Sequence, residues 1–197
     1  MNWTLTKCDA IYVAKCALGR GVFADRDFQE GEFLFRFTGP VISLVQAINK
    51  GDAEGNALQI GPTTYIDLET PGVFANHSCE PNAGVRDLVS GYALRPISRG
   101  EEILYDYSTT MSEQRWSMRC RCGVPSCRGM IGDFHDLPSE LQRRYLSMGI
   151  VQPFIVAELR SLHARLRKRL RSSLSSVVRA KKDCRLGTSE LARYTPC

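Results

Sequence analysis

The chain has 197 residues, 43% of them hydrophobic and 24% charged, with a formal net charge of +5. That is enough for one substantial core and a small appendage, and no run approaches the ~18 apolar residues of a membrane span. The start, Met1-Asn2-Trp3-Thr4, lacks the basic-then-apolar order of a secretory signal, so the eight cysteines are expected to sit in a reducing, intracellular compartment: cytoplasm, nucleus or nucleoid.

In chain order, short β-type runs come first. Ile11-Tyr12-Val13, 21–24, 33–37, Thr64-Tyr65-Ile66 and Tyr92-Ala93-Leu94 read as strands, punctuated by Gly39-Pro40, Gly61-Pro62, Pro71-Gly72 and Arg99-Gly100. The stretch 42–53 reads as the one helical insertion, with Leu44, Ala47 and Ile48 on one side. After Gly132 the pattern turns helical. Leu137-Pro138-Ser139-Glu140 has the form of a helix start, with Pro138 in the first turn and Glu140 near the positive end of the dipole. A second helix is expected after Pro153, where Ile155, Leu159, Leu162, Leu166, Leu170, Leu174 and Val177 recur at steps of three or four. From Asp183 no period remains, and the stretch 183–197 is expected to be loosely ordered.

Charge is unevenly spread. From 156 to 197 there are eleven Lys or Arg against three acidic groups, a balance of +8, which leaves −3 for everything before. A mildly acidic body suits a basic, lysine-bearing partner. The basic tail suits DNA or another polyanion, or simply forms a solvated helix face with its leucines packed on its own domain.

Two runs carry the chemistry. Cys120-Arg121-Cys122-Gly123-Val124-Pro125-Ser126-Cys127 offers three thiolates as Cys-x-Cys-x4-Cys, one short of a closed tetrahedral zinc site. The fourth is available upstream in Asn76-His77-Ser78-Cys79-Glu80-Pro81-Asn82. A zinc ion held by Cys79, Cys120, Cys122 and Cys127 would tie two distant segments together around whatever Asn76 and His77 bind, and with no open coordination position it would be structural. Cys8, Cys16, Cys184 and Cys197 have no ligand spacing and read as ordinary thiols. His135 and His163 lack partners at ligand spacing.

With these residues in view, the stretch from about 8 to 131 resembles a SET-domain protein lysine methyltransferase with its cysteine-rich post-SET segment. Four blocks stand in the family's order: Gly19-Arg20-Gly21-Val22-Phe23-Ala24, the Asn76–Asn82 heptapeptide, Gly100-Glu101-Glu102-Ile103-Leu104-Tyr105-Asp106-Tyr107, and the cysteine cluster. The resemblance implies an α+β, β-rich SET fold of short sheets with a pseudoknot, a zinc-bound post-SET segment and a helical C-terminal extension. Its divisions here would be a SET domain at 8–110, a zinc segment at 116–132, a basic helical extension at 137–182 and the tail from 183.

The implied activity is methyl transfer from S-adenosylmethionine to a lysine side chain of a histone or other basic protein. Tyr107 would be the catalytic tyrosine. Tyr105, two residues before it, would limit the product mainly to mono- with some di-methylation. Gly19, Arg20, Gly21, Asn76, His77, Tyr107 and Met130 would hold the cofactor, and Phe37, Tyr65 and Tyr105 would line the lysine channel. Asp106, between two aromatics on a strand, is expected to point away from their face and to be structural.

Two departures stand out. Phe37-Thr38-Gly39-Pro40 replaces the family's Tyr-x-Gly-Glu, and Gly72-Val73-Phe74-Ala75 replaces an Arg-Phe pair. The alternative from another class is a catalytically silent SET-like zinc module that binds basic peptide or nucleic acid; Tyr105 and Tyr107 would then merely face a buried strand surface.

Overall fold

The computed structural model describes residues 10–187, with the side chains of Asp52 and of 172–187 left undescribed. The start at Cys8, the thiol of Cys197 and the segment 188–197 therefore lie outside the described residues, as does the side chain of Cys184. Contacts divide the chain into one compact unit ending at Val156 and a second beginning at Ala157.

The first unit is assembled from five small sheets. β1 (Ile11–Cys16) and β2 (Gly19–Ala24) form an antiparallel hairpin in the register Ile11↔Ala24 to Cys16↔Gly19. β3 (Phe33–Arg36) pairs with β9 (Ser90–Ala93), which also pairs with β8 (Ala83–Arg86). β4 (Val41–Ser43), β6 (Thr64–Asp67) and β5 (Ala57–Gly61) form the second three-stranded sheet. β11 (Met118–Arg119) pairs with β12 (Met130–Ile131). β7 (Asn76–His77) and β10 (Leu104–Tyr105) are two residues each and pair in parallel, Leu104 opposite Asn76 and Tyr105 opposite His77. This last pairing sets the second and third sequence blocks side by side.

One core unites four of these sheets, built on Val22, Phe28, Phe35, Val85, Ile97 and Ile103, all 2% exposed or less, while Ile131 of β12 packs with Cys79 and Cys120. Strands this short carry few ladder bonds, so side-chain struts fix their ends. Asn82, 2% exposed, donates to the Glu101 carboxylate (2.9 Å) and the Glu102 carbonyl (2.7 Å), and accepts from Leu104 N–H (2.8 Å).

Several expected boundaries move. The stretch 42–53 is not one helix. β4 takes Ile42, α1 spans Leu44–Ile48, and a 3-10 turn covers Gly51–Asn56. A capping box starts α1: Gln46 N–H donates to Ser43 Oγ (3.3 Å) and Gln46 Oε1 accepts from Ser43 N–H (2.9 Å). Gly51, at φ 58°, then turns the chain out of the helix. Tyr105 and Tyr107 do not share a strand either. β10 ends at Tyr105, and Asp106 caps a 3-10 turn at Tyr107–Thr110 by accepting from Ser108 N–H (3.1 Å).

α2 (Ser139–Met148) begins just after Pro138 and ends at Gly149 in the left-handed region, φ 67°. The chain then packs back on the body. Ile150, 1% exposed, lies where a Cβ on Gly84 would come within 2.5 Å of it, and Gln152 bonds the Thr109 and Leu88 carbonyls (3.0 and 2.9 Å). α3 (Pro153–Gly187) starts with Ile155 fully buried and continues into the second unit. It runs through 183–187, where the sequence shows no period. In that unit every described residue from 161 to 171 is exposed, the leucines 162, 166 and 170 included. No helix among the described residues is long and apolar enough to cross a membrane.

The two departures from the family pattern prove to be neighbours. A Cβ on Gly72 would lie 2.8 Å from the Phe37 ring, so the glycine makes room for that phenylalanine. Gly39, two residues on, has φ 147°, and a Cβ there would fall inside the van der Waals shell of the Asp67 carbonyl. Gly39→Ala should therefore lower stability by roughly 3 kcal/mol, through backbone strain plus overlap. A thermal melt checks it, and an unchanged midpoint would contradict the close approach of this segment to β6.

Candidate functional site

Tyr105 and Tyr107 come together although they leave different elements. Their ring centroids are 4.8 Å apart, tilted by 48°. Tyr107 Oη donates to the Ala75 carbonyl (2.8 Å), which fixes its hydroxyl at the end of the segment leading into β7. The two rings line a slot together with Leu58 and Gln59 of β5, Tyr65 of β6, Gly72, Met111, Glu113 and Trp116. Tyr65 Oη donates to the Glu113 carboxylate.

Phe37 is not in this lining. It packs edge-on behind Tyr105 (5.6 Å between centroids) and against Phe35 (4.9 Å), 2% exposed. The structure places it in the core against Tyr105, apart from the residues that line the slot. Burial pushes the pKa of all three tyrosines up. The Glu102 charge adds to this for Tyr107, the charges of Tyr107 and Asp106 for Tyr105, and the Glu113 hydrogen bond for Tyr65. Their hydroxyls stay protonated around neutrality and serve as donors and acceptors, not as bases.

A second group adjoins β2. Asn76 Nδ2 donates to the Arg20 carbonyl (2.9 Å) and to Glu102 Oε1 (2.8 Å), and lies 3.4 Å from Cys16 Sγ. Gly19, Arg20, Gly21 and Asn76 are therefore brought together. Arg20 lies over the Phe74 ring at 3.8 Å. Gly19 has φ 112°, which an L-residue rarely adopts, and a Cβ on Gly21 would overlap the Glu102 carboxylate. The Glu102 carboxylate, held by Asn76, thus occupies the space beside Gly21, and sequence reading gave it no role. Met130 is not brought into this group. It stands 55% exposed on β12, along a surface groove with Ser108, Arg128 and Asp133.

Beneath Tyr107 lies the sulfur cluster. Cys79 and Cys120 are buried with their sulfurs 3.8 Å apart. Ligand atoms of His77, Cys79, Cys120 and Cys122 all fall within 4.8 Å of one another, and Cys127 is a hydrogen-bond partner of Cys120 and Cys122. A tetrahedral ion with ~2.3 Å metal–sulfur bonds requires sulfurs about 3.8 Å apart, so the Cys79–Cys120 spacing fits a metal. Burial raises the Cys120 thiol. For Cys122, burial is outweighed by backbone donors and neighbouring thiols, which bring it down to about 7.

His77 is the fifth candidate, and its hydrogen bonds bear on its role. Burial, partly opposed by Asp106, pushes its pKa down to about 4, so the ring is neutral. Nδ1 accepts from Tyr107 N–H (3.3 Å), and its 3.6 Å distance to Asp106 is too long for a hydrogen bond. The ring proton is therefore on Nε2, which points at Cys79 Sγ (3.4 Å). In that tautomer Nε2 is a donor toward the sulfur.

Asp106 joins these parts. Its carboxylate, almost wholly buried, accepts from Arg128 through both guanidinium nitrogens (2.7 and 2.8 Å), from Ser108 N–H and from Tyr145 Oη (2.9 Å). Arg128 N–H in turn points at Cys79 Sγ (3.4 Å). The expectation that Asp106 is structural holds, but neither Arg128 nor Tyr145 was legible as its partner, since no local spacing links 106 to 128 or 145.

Residues 19–108 match the SET domain family model. The stretch from the Gly19–Gly21 block to the paired tyrosines is a SET domain. It is 33% identical over 140 residues to "Histone-lysine N-methyltransferase 2B" of Homo sapiens, covering 62% of this chain and 5% of that protein. It is also 33% identical over 131 residues to "Histone-lysine N-methyltransferase, H3 lysine-36 specific" of Candida albicans, covering 58% and 15%. Among solved structures it is similar to a humanized mutant of the Chaetomium thermophilum Polycomb Repressive Complex 2 bound to the inhibitor GSK126. That likeness has a TM-score of 0.47 and 22% identity, over 54% of this chain and 16% of that one. The chain spans less than a fifth of the length of these two curated relatives.

Asn82 is the strut on which this site's geometry hangs. Asn82→Ala should cost roughly 2 kcal/mol or more, because Leu104 N–H and the Glu102 carbonyl lose their bonds to the amide. Chemical denaturation checks it, and a loss below about 0.5 kcal/mol would show that the β7–β10 pairing holds without the strut.

Proposed function

We propose that this protein is an S-adenosylmethionine-dependent protein-lysine N-methyltransferase, acting on a histone or another basic protein. The observation that carries the reading is the tyrosine-lined slot. Two neutral tyrosine hydroxyls, that of Tyr105 buried and that of Tyr107 part-buried, line the slot next to the Asn76–His77 strand. The cofactor supplies an electrophilic methyl group on a sulfonium. Its holders are Gly19, Arg20, Gly21, Asn76 and the backbone of His77, whereas Met130 stands exposed on β12 apart from them. Asn76 and Arg20 are already joined, and the Glu102 carboxylate beside them favours a cation in that corner.

Tyr107 orients the reacting groups, its hydroxyl held by the Ala75 carbonyl with a lone pair left to accept. Tyr105 and Tyr65 wall the lysine, whose ammonium form the apolar slot disfavours, since free lysine has a pKa of about 10.4. Positioning and exclusion of water do most of the work. The silent-module alternative is not favoured, because it gives the fixed Tyr107 hydroxyl nothing to do.

Zinc fits the four thiols of Cys79, Cys120, Cys122 and Cys127 as a closed, structural site, and 116–132 is its segment. The basic helix is a tether to DNA or another polyanion, supported by its +8 balance. The reading places the protein inside the cell, on chromatin or a nucleoid. A chain truncated after Pro153 that binds DNA with the affinity and salt dependence of the full chain would remove the tether.

Tyr107→Phe should cut turnover ~10²–10³-fold, as loss of one oriented donor does, while cofactor affinity stays within about twofold. Transfer of labelled methyl to basic proteins measures the first and calorimetry the second; undiminished turnover would place catalysis elsewhere. Tyr105 limits the product because its hydroxyl holds the space a further methyl needs. Mass spectrometry of a modified peptide should show mainly mono- with some di-methylation, shifting upward in Tyr105→Phe. Dominant tri-methylation by the unaltered protein would refute this role. Metal analysis should give about one zinc per chain, lost as readily from Cys79→Ser as from Cys122→Ser. Full retention in Cys79→Ser would break the four-thiol assignment.

A further inference from the structure

We infer that Tyr145, on a helix beyond the matched SET residues, is a positioning residue of the methyl-transfer site, acting through Asp106 on Arg128 and the segment behind it. The inference rests on the methyltransferase reading for its consequence, but its geometry stands independently.

A carboxylate has about four acceptor positions, two per oxygen. In Asp106 each is taken: Ser108 N–H and Arg128 Nη2 on Oδ1, Arg128 Nη1 and Tyr145 Oη on Oδ2. The Tyr145 ring is 2% exposed, and a phenylalanine would fill that space equally well. Among the described residues the hydroxyl has one hydrogen-bond partner, Asp106. It therefore serves to orient that carboxylate.

What the carboxylate grips in turn is Arg128. This residue follows the last cysteine of the cluster, points its N–H at Cys79 Sγ, and leads directly into Gly129, Met130 and Ile131 of β12. Asp106 itself separates Tyr105 from Tyr107. One hydroxyl on α2 thus bears on a line running from the tyrosine segment through the guanidinium to the sulfur cluster.

The helix is held firmly enough to do this. Gly149 turns the chain, Ile150 seats against Gly84 of β8, and Arg86 donates to the Met148 carbonyl (3.3 Å). Without the hydroxyl, Oδ2 keeps a single donor and the Arg128 fork can rotate away. The segment 128–131 then loosens, while Tyr107, tied separately to Ala75, keeps its place. The expected signature is weaker holding of cofactor and metal, with the chemical step itself little changed.

The test uses the full-length, zinc-loaded protein with Tyr145→Phe. Metal release to a chromophoric chelator, read with no substrate present, should speed up about tenfold, the scale of a lost hydrogen bond to a charged group. KM for S-adenosylmethionine should rise by a similar factor, while kcat stays within about twofold. Ile150→Val, a packing change in the same region, should lower the melting temperature without either effect.

Unchanged metal release in Tyr145→Phe would overturn the inference, as would equal acceleration by Ile150→Val. Absence of methyl transfer in the wild-type protein would instead sink the functional reading and leave the chelator result to decide this one. Should Tyr145→Phe not fold, NMR of the wild-type protein decides. A slowly exchanging Tyr145 hydroxyl proton that is lost on metal removal supports the coupling, and one in fast exchange with the metal bound contradicts it.

Discussion

A single ion pair, buried Asp106 with part-buried Arg128, is the constraint on which the remainder of the site depends. Taking a carboxylate and a guanidinium out of water is costly, and the mutual attraction offsets that cost only where geometry is good and the remaining lone pairs are filled. Both conditions hold: the pairing is bidentate, and Ser108 and Tyr145 complete the carboxylate. Removing one partner of such a pair strands the other, at about 3–5 kcal/mol. The molecule uses this pair because its strands are short. With β7 and β10 at two residues each, main-chain ladders cannot hold three segments in place, so the cross-links are side chains: Asn82 to 101–104, Asn76 to Arg20 and Glu102, and Asp106 to Arg128.

His77 shows the same economy of parts. Its ring lies between Tyr107 and Cys79, accepting from the backbone of one and turned with its proton toward the sulfur of the other. A metal in the thiol cluster would therefore set the height of the Tyr107 backbone through a rigid ring. The fold of the cysteine segment and the placing of the tyrosine are one mechanical problem, solved by the heptapeptide that contributes to both.

The blocks with close-set signals were legible in the sequence. Cys-x-Cys-x4-Cys, the heptapeptide and the Gly100–Tyr107 block come from residues near each other in the chain, and the structure brings all three together. Alternation marked β1, β2, β3, β6 and β9. It could not mark β7, β10, β11 or β12, which are two residues long and exist through tertiary pairing. Phe37 was placed in the channel from its position in a motif, whereas its ring turns into the core because Gly72 leaves a gap there. Glu102 and Tyr145 gave no signal, since a lone carboxylate or aromatic has no period and its partner lies far along the chain. The helical stripe of α3 was readable over 155–177, but periodicity does not tell a helix packed on its domain from one with its leucines in solvent.

Asp106 couples the cysteine segment and α2 to the tyrosine segment. Hydrogen exchange by mass spectrometry, comparing the wild-type protein with Asp106→Asn under native conditions, tests this coupling. Amides at 118–131 and in α2 (Ser139–Met148) should lose protection together, while the β1–β2 hairpin keeps its own. Loss confined to 105–108, or an unchanged pattern at 118–131, would contradict it.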